Sequence, residues 1–153
     1  MNSEVNVQNV KIRDPKIDDN REWIMKEKAN LMKYCKNKDL GADKLLDEKY
    51  AGLAPFFALW AVENRSERKK YWVITGDLPN DHLPYDVANH PRDALKHFSM
   101  VWQMKAEKLQ VKLENKELSI GTPEQQETMI ALLRDRAENI YSLAAEDAIW
   151  QEN

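Results

Sequence analysis

The sequence predicts an α+β fold, mostly helical, with three main helices packed around a small two- or three-stranded antiparallel sheet. Three observations predict it. Apolar residues recur at helical spacing in long stretches opening near Asp18, Pro91 and Pro123. Between the first two lie runs rich in aromatic and β-branched residues, 55–63 and 71–75, joined by the polar connector 64–70, which reads as a hairpin. The chain has 153 residues, 42% of them hydrophobic, which suffices for one domain with a core that needs neither disulfides nor metals.

Taken in order, residues 1–17 are polar, broken by Pro15, and read as an N-terminal tail; residues 18–153 read as a single α+β domain. Asp18 or Asp19 can cap a first helix running to about Lys38, with Trp23, Ile24, Ala29, Leu31, Tyr34 and Cys35 on a ragged apolar face. Gly41 ends it, and residues 43–50 form a short second helix or turn. Neither run of the hairpin alternates cleanly, which predicts cover on both faces of the sheet. Gly76 and the Pro79-Asn80 pair close the second strand with turn chemistry.

Pro91 suits the first position of a helix that extends to about Glu114, with Ala94, Leu95, Phe98, Val101, Trp102 and Leu109 on one stripe. Thr122 and Gln125 form a capping box around Pro123, opening a last helix that reaches toward Trp150.

Composition excludes several functions. Four scattered glycines leave no glycine-rich phosphate loop of either common spacing. A formal charge of -3 argues against sequence-independent binding to nucleic acid. The basic cluster Arg65, Arg68, Lys69 and Lys70 is interrupted by Glu67 and reads as a solvated turn. From Val101 onward acids outnumber bases, which favours a basic partner or simply solubility. Cys35 is the only cysteine, so no intramolecular disulfide is predicted, and it reads as a quiet core thiol. The N-terminus has neither a basic nor an apolar signal region, and the longest apolar run, 53–62, contains Pro55 and is too short to span a membrane. These features predict a cytoplasmic protein.

The stretch richest in chemistry is 77–97, which holds Asp77, Asp81, Asp86, Asp93 and all three histidines. His90, Asp93 and His97 align on one helix face, but the two histidines lie about two turns apart, too far for one ion. Asp93 is better read as supporting the helix N-terminus. Asp77 and Asp81 could form an acid–base pair, yet loop aspartates more often bond their own backbone. No serine sits in a nucleophile motif. Of the five tryptophans, Trp60, Trp72 and Trp102 are read as core, and Trp150 as a clamp on the final turn.

The pattern Pro55-x4-Trp60-Ala-Val-Glu63, Trp72-Val-Ile-Thr-Gly-Asp-Leu-Pro79-x-Asp81 and His90-Pro91-Arg92-x-Ala94 resembles the bacterial domain of unknown function 4826 family. Thr122-Pro123-Glu124, Leu132-Leu133-x-x-Arg136-Ala137 and Asp147-x-x-Trp150 extend the resemblance over nearly the whole domain. The chain departs at Asn80 and His82, where the family run has Thr and an aromatic residue, which weakens a catalytic role for His82. The resemblance implies a small, soluble, cytoplasmic protein and carries no activity with it.

The expected function is that of a non-enzymatic interaction or regulatory module, of the immunity or adaptor kind, with a protein partner and no nucleic acid, membrane or cofactor. The candidate binding surface is Asp77, Asp81, His90, Arg92 and Arg136, in which Arg92 offers a bidentate handle to a partner acid or locks onto Asp77. No catalytic or metal-ligating residue is assigned. The alternatives are a small hydrolase or metal-dependent enzyme using Asp77, Asp81, His90 and His97, and a small-ligand pocket lined by Trp60, Trp72 and Trp102. Either a monomer or a homodimer fits.

Overall fold

The computed structural model of the chain describes residues 17–150. The expected polar tail thus lies outside the described residues, except for Ile17, which already belongs to a helix. The described residues form two compact units. One comprises those up to Ala94 together with those from Glu146 on, and the other is Leu95–Ala145.

The first unit opens with α1, Ile17–Asn37. The helix begins just before the expected capping residues, so Asp18 and Asp19 fall inside its first turn. It ends on a left-handed Asp39, φ 56°, with the Leu40 N–H donating to Cys35 O over 3.0 Å. This is the geometry of a Schellman stop, and Leu40 is buried beyond it.

Five antiparallel strands follow: β1 (Lys44–Leu45), β2 (Ala51–Leu53), β3 (Phe57–Asn64), β4 (Lys69–Gly76) and β5 (Asp81–Pro84). The expected hairpin is β3–β4, paired along its whole length from Phe57↔Gly76 to Asn64↔Lys69. β5 lies on the far edge of β4, and β1 and β2 share the other edge of β3. The sheet is therefore larger than the two or three strands expected. The additional strands have only two to four residues, too few to register a period of two in the sequence. Of the expected short helix or turn over 43–50, the structure forms a single 3-10 turn, Asp47–Lys49, preceded by β1.

Both faces of β3–β4 are buried, as the lack of alternation predicts. Directly paired residues share a face, so Ala58, Trp60, Val62 and Val73 lie on the side that packs with Leu31, Tyr34 and Cys35 of α1. Phe57, Leu59, Ala61, Trp72 and Ile74 occupy the other. Trp60 and Trp72 consequently project from opposite faces, and no one pocket is lined by both. Trp60 Nε1 donates to Thr75 Oγ1 over 3.1 Å. Trp72 Nε1 donates to Tyr85 O and Ala88 O over 3.0 and 3.3 Å, and Tyr85 stacks on the Trp72 ring.

The last described helices are α2 (Pro91–Glu114) and α3 (Pro123–Ala145). From Leu95 on they form the second unit. Ser99 Oγ donates to Ala137 O over 2.8 Å, and Arg134 pairs with Glu107 at 3.2 Å. The capping box is complete. Gln125 N–H donates to Thr122 Oγ1, and Thr122 N–H donates to Gln125 Oε1. α3 stops at Ala145, short of the expected Trp150. Beyond it, i→i+3 turns carry the chain through Asp147 to a buried Trp150, and both residues are held by partners in the first unit.

Among the described residues, helix accounts for 54% and strand for 19%, so the fold is α+β and mostly helical. Among the described residues, no helix is long and apolar enough to cross a membrane.

Candidate functional site

Four of the sequence-selected residues lie in the first unit, and two of them have structural duties. His90 stands just before α2, and its Nδ1 accepts the Arg92 N–H over 3.0 Å, so the imidazole caps the helix in the place usually taken by Ser, Thr, Asp or Asn. The Ala94 N–H donates to His90 O, closing the first turn. The same ring lies edge-on to Trp150, with centroids 6.0 Å apart. Arg92 Nη2 donates to Asp147 Oδ1 over 2.6 Å. The His90-Pro91-Arg92 and Asp147-x-x-Trp150 segments are thus two halves of one clasp, an arrangement that the 55-residue separation of Arg92 and Asp147 hides in the sequence.

Asp77 and Asp81 flank the loop between β4 and β5. Gly76 enters it at φ 130°, and a Cβ there would come within 2.6 Å of Phe56 O. Only glycine meets both demands. The Asp77 N–H donates to that same Phe56 carbonyl, and Asp81 Oδ1 accepts the His82 N–H. Arg136 belongs to the second unit, where Nη1 donates to Asp135 Oδ2 over 2.8 Å. His97 also belongs to that unit. Among the described residues, no three His, Cys, Asp or Glu side chains converge in a way that could hold a metal ion.

Beside this loop the structure places a polar contact that the sequence reading missed. The Tyr34 hydroxyl on α1 and His82 Nδ1 on β5 share a hydrogen bond of 2.8 Å, and Tyr71 meets the imidazole edge-on at 5.7 Å. Burial, then the nearby Asp81 carboxylate and the Cys35 thiol, push the Tyr34 phenol far above its ordinary value.

A groove lies on α1 and β1 in the first unit. Its volume is about 770 Å³, and it runs between the C-terminal half of α1 and the segment leading into β1. Its apolar lining is Leu31, Met32, Cys35, Ala42, Leu45 and Val62, and its charged lining is Lys28, Lys33, Lys36 and Lys44 with Asp39 and Asp43. Met32 is 68% exposed. Asp43 is engaged elsewhere: its Oδ1 accepts the Arg65 N–H and its Oδ2 pairs with the Arg65 guanidinium at 3.4 Å. Those contacts hold the Asp43 carboxyl below the usual carboxylate range.

Gly41 makes the groove's corner possible. At φ 65° it turns the chain from α1 into β1, and a Cβ there would lie 2.5 Å from Asn64 Nδ2. Asn64 is buried and donates to Leu40 O over 3.1 Å, while its Oδ1 accepts from Ser66 Oγ and the Glu67 N–H. One side chain thus ties the hairpin turn to the end of α1. Cys35 faces this groove from the core side, and burial raises its thiol. The lysine spacing on α1 was the available sequence signal, but the opposing Leu45 lies on a two-residue strand that no pattern reveals.

No curated protein and no solved structure matches the chain. The family model described as "Domain of unknown function (DUF4826)" matches residues 18–150, which takes in both units and every motif residue named above, and the chain belongs to that family.

Proposed function

We propose that this chain is a small non-enzymatic interaction module of a bacterial cytoplasm, working through a protein partner, with the α1–β1 groove as its working surface. The carrying observation is the groove itself: an apolar floor opened to solvent at Met32 and flanked by the lysines of α1. Its volume falls within the usual range for ligand sites, about 300–1,000 Å³. The residues that pointed to chemistry support this reading by their other occupations. His90 caps a helix, Arg92 grips Asp147, and Asp81 bonds the backbone beside it. The adaptor or immunity role proposed from the sequence is retained, with its surface moved from the Asp77–Arg92 region to the groove.

Site-specific photo-crosslinking in cells tests the reading. A photoreactive residue at Met32 should give a discrete adduct, and one at Met25 should not. Met25 is 64% exposed on the same helix but does not line the groove. Equal labelling from both positions, or none from either, contradicts the proposal.

A further inference from the structure

We infer that the groove takes an acidic segment of a partner protein in which apolar residues alternate with Asp or Glu. The inference rests on the groove being the working surface and names the occupant. Charge complementarity gives the sign. Four lysines and two aspartates line the groove, and Asp43 is already committed to Arg65. Lys28, Lys33 and Lys36 all stand on α1, so the positive potential runs along one wall of the floor, while Lys44 pairs with Glu63 on the other face of the sheet.

The distribution of that charge gives the class. Lys28 and Lys36 are eight residues apart on one helix, about 12 Å along its axis. A single-headed amphiphile, such as a fatty carboxylate, needs cations at one end and apolar surface at the other. Here the cations accompany the apolar floor along its length. A chain that places side chains alternately on two sides meets this pattern, with apolar residues on the floor and acids turned to the lysines. About five extended residues at roughly 3.3 Å each cover the distance from Lys28 to Asp39.

The test is fluorescence anisotropy of the full chain with a labelled synthetic peptide of about eight residues alternating Glu or Asp with Leu or Val, long enough to span the groove. Two counterparts replace the acids by Lys, or the apolar residues by Ser. The alternating acidic peptide should bind at least about tenfold tighter than either and weaken as salt rises. Lys28→Glu with Lys36→Glu should reduce its affinity roughly tenfold or more, and Met32→Ser several-fold. All three positions are exposed, so these variants are expected to fold, and circular dichroism checks that they do.

Comparable binding of the lysine peptide, or affinity indifferent to the reversed lysines, overturns the inference. So does equal affinity for the serine peptide, which would leave the floor unused. A dimer seen by sedimentation that the reversed lysines dissolve, with no peptide bound, would name a second copy as occupant and overturn it as well. If the peptide fails while Met32 still crosslinks and Met25 does not, the acidic occupant falls and the groove reading stands. If both fail, both fall.

Discussion

Tyr34 on α1 and His82 on the edge strand β5 share a hydrogen bond of 2.8 Å across 48 residues of sequence. It joins the helix to the last and shortest-reaching strand on that side of β4, since β5 pairs with the sheet over only four residues. Replacing Tyr34 by Phe keeps the ring and removes the bond. The expected loss is about 1 kcal/mol in urea unfolding followed by tryptophan fluorescence. A variant as stable as the parent would show that β5 does not depend on this contact.

High pH should unfold the protein through its buried phenols. Burial raises Tyr34, and burial with the Glu27 carboxylate raises Tyr50. A phenol whose folded value lies above its unfolded one, about 10, keeps its proton longer in the fold than in the open chain. Its contribution to stability is complete below about pH 10 and is lost as pH rises beyond it. Stability should therefore fall on alkaline titration, and Tyr34→Phe with Tyr50→Phe should flatten that fall. A profile unchanged by both substitutions would contradict the assignment.

Tyr50 supports a separate expectation. Its hydroxyl is buried and has no hydrogen-bond partner among the described residues. An unmade bond of this kind costs about 1–3 kcal/mol, so Tyr50→Phe should leave the melting temperature at neutral pH unchanged or raise it. A drop comparable to that of Tyr34→Phe would mean that the hydroxyl has a partner.

His90 should behave as a helix cap. His90→Ala removes the acceptor for the Arg92 N–H and the ring beside Trp150, at a cost of about 1–2 kcal/mol by thermal unfolding. His90→Asn, a better cap residue, should recover part of that loss. If Ala and Asn are equally destabilising, the cap is not the reason for the effect.

Much of this architecture was legible in the sequence because its signals were local. Thr122 and Gln125 lie three residues apart and announced the start of α3, and the apolar stripe from Ala94 to Leu109 announced α2. The aromatic runs announced the hairpin, and their lack of alternation announced its burial on both faces. What stayed hidden depends on distant residues meeting. β1 is only Lys44–Leu45, and its pairing with Glu63 and Val62 leaves no periodic trace. The end of α3 depends on Asp147 and Trp150 reaching Arg92 and His90, which helical spacing through Ile149 and Trp150 conceals. The expected site suffered most. Histidines and aspartates between 77 and 97 stand out by type, whereas the groove is made of lysines and small apolar residues that look like any amphipathic surface.

Asn64 and Gly41 form the joint that shapes the groove. Gly41→Ala must accommodate a Cβ 2.5 Å from Asn64 Nδ2 on a left-handed backbone. It should lower stability by more than the roughly 1 kcal/mol typical of a point substitution. Asn64→Ala removes a buried donor and acceptor and should do at least as much damage. Guanidinium unfolding of both variants checks this, and near-parental midpoints would contradict the described joint.

Hydrogen–deuterium exchange of the full chain, with and without the alternating acidic peptide, tests the central claim most directly. Exchange should slow only in the second half of α1 and in residues 41–45, with β5 and α3 unchanged. Protection elsewhere, or none at saturating peptide, would contradict a working surface in the α1–β1 groove.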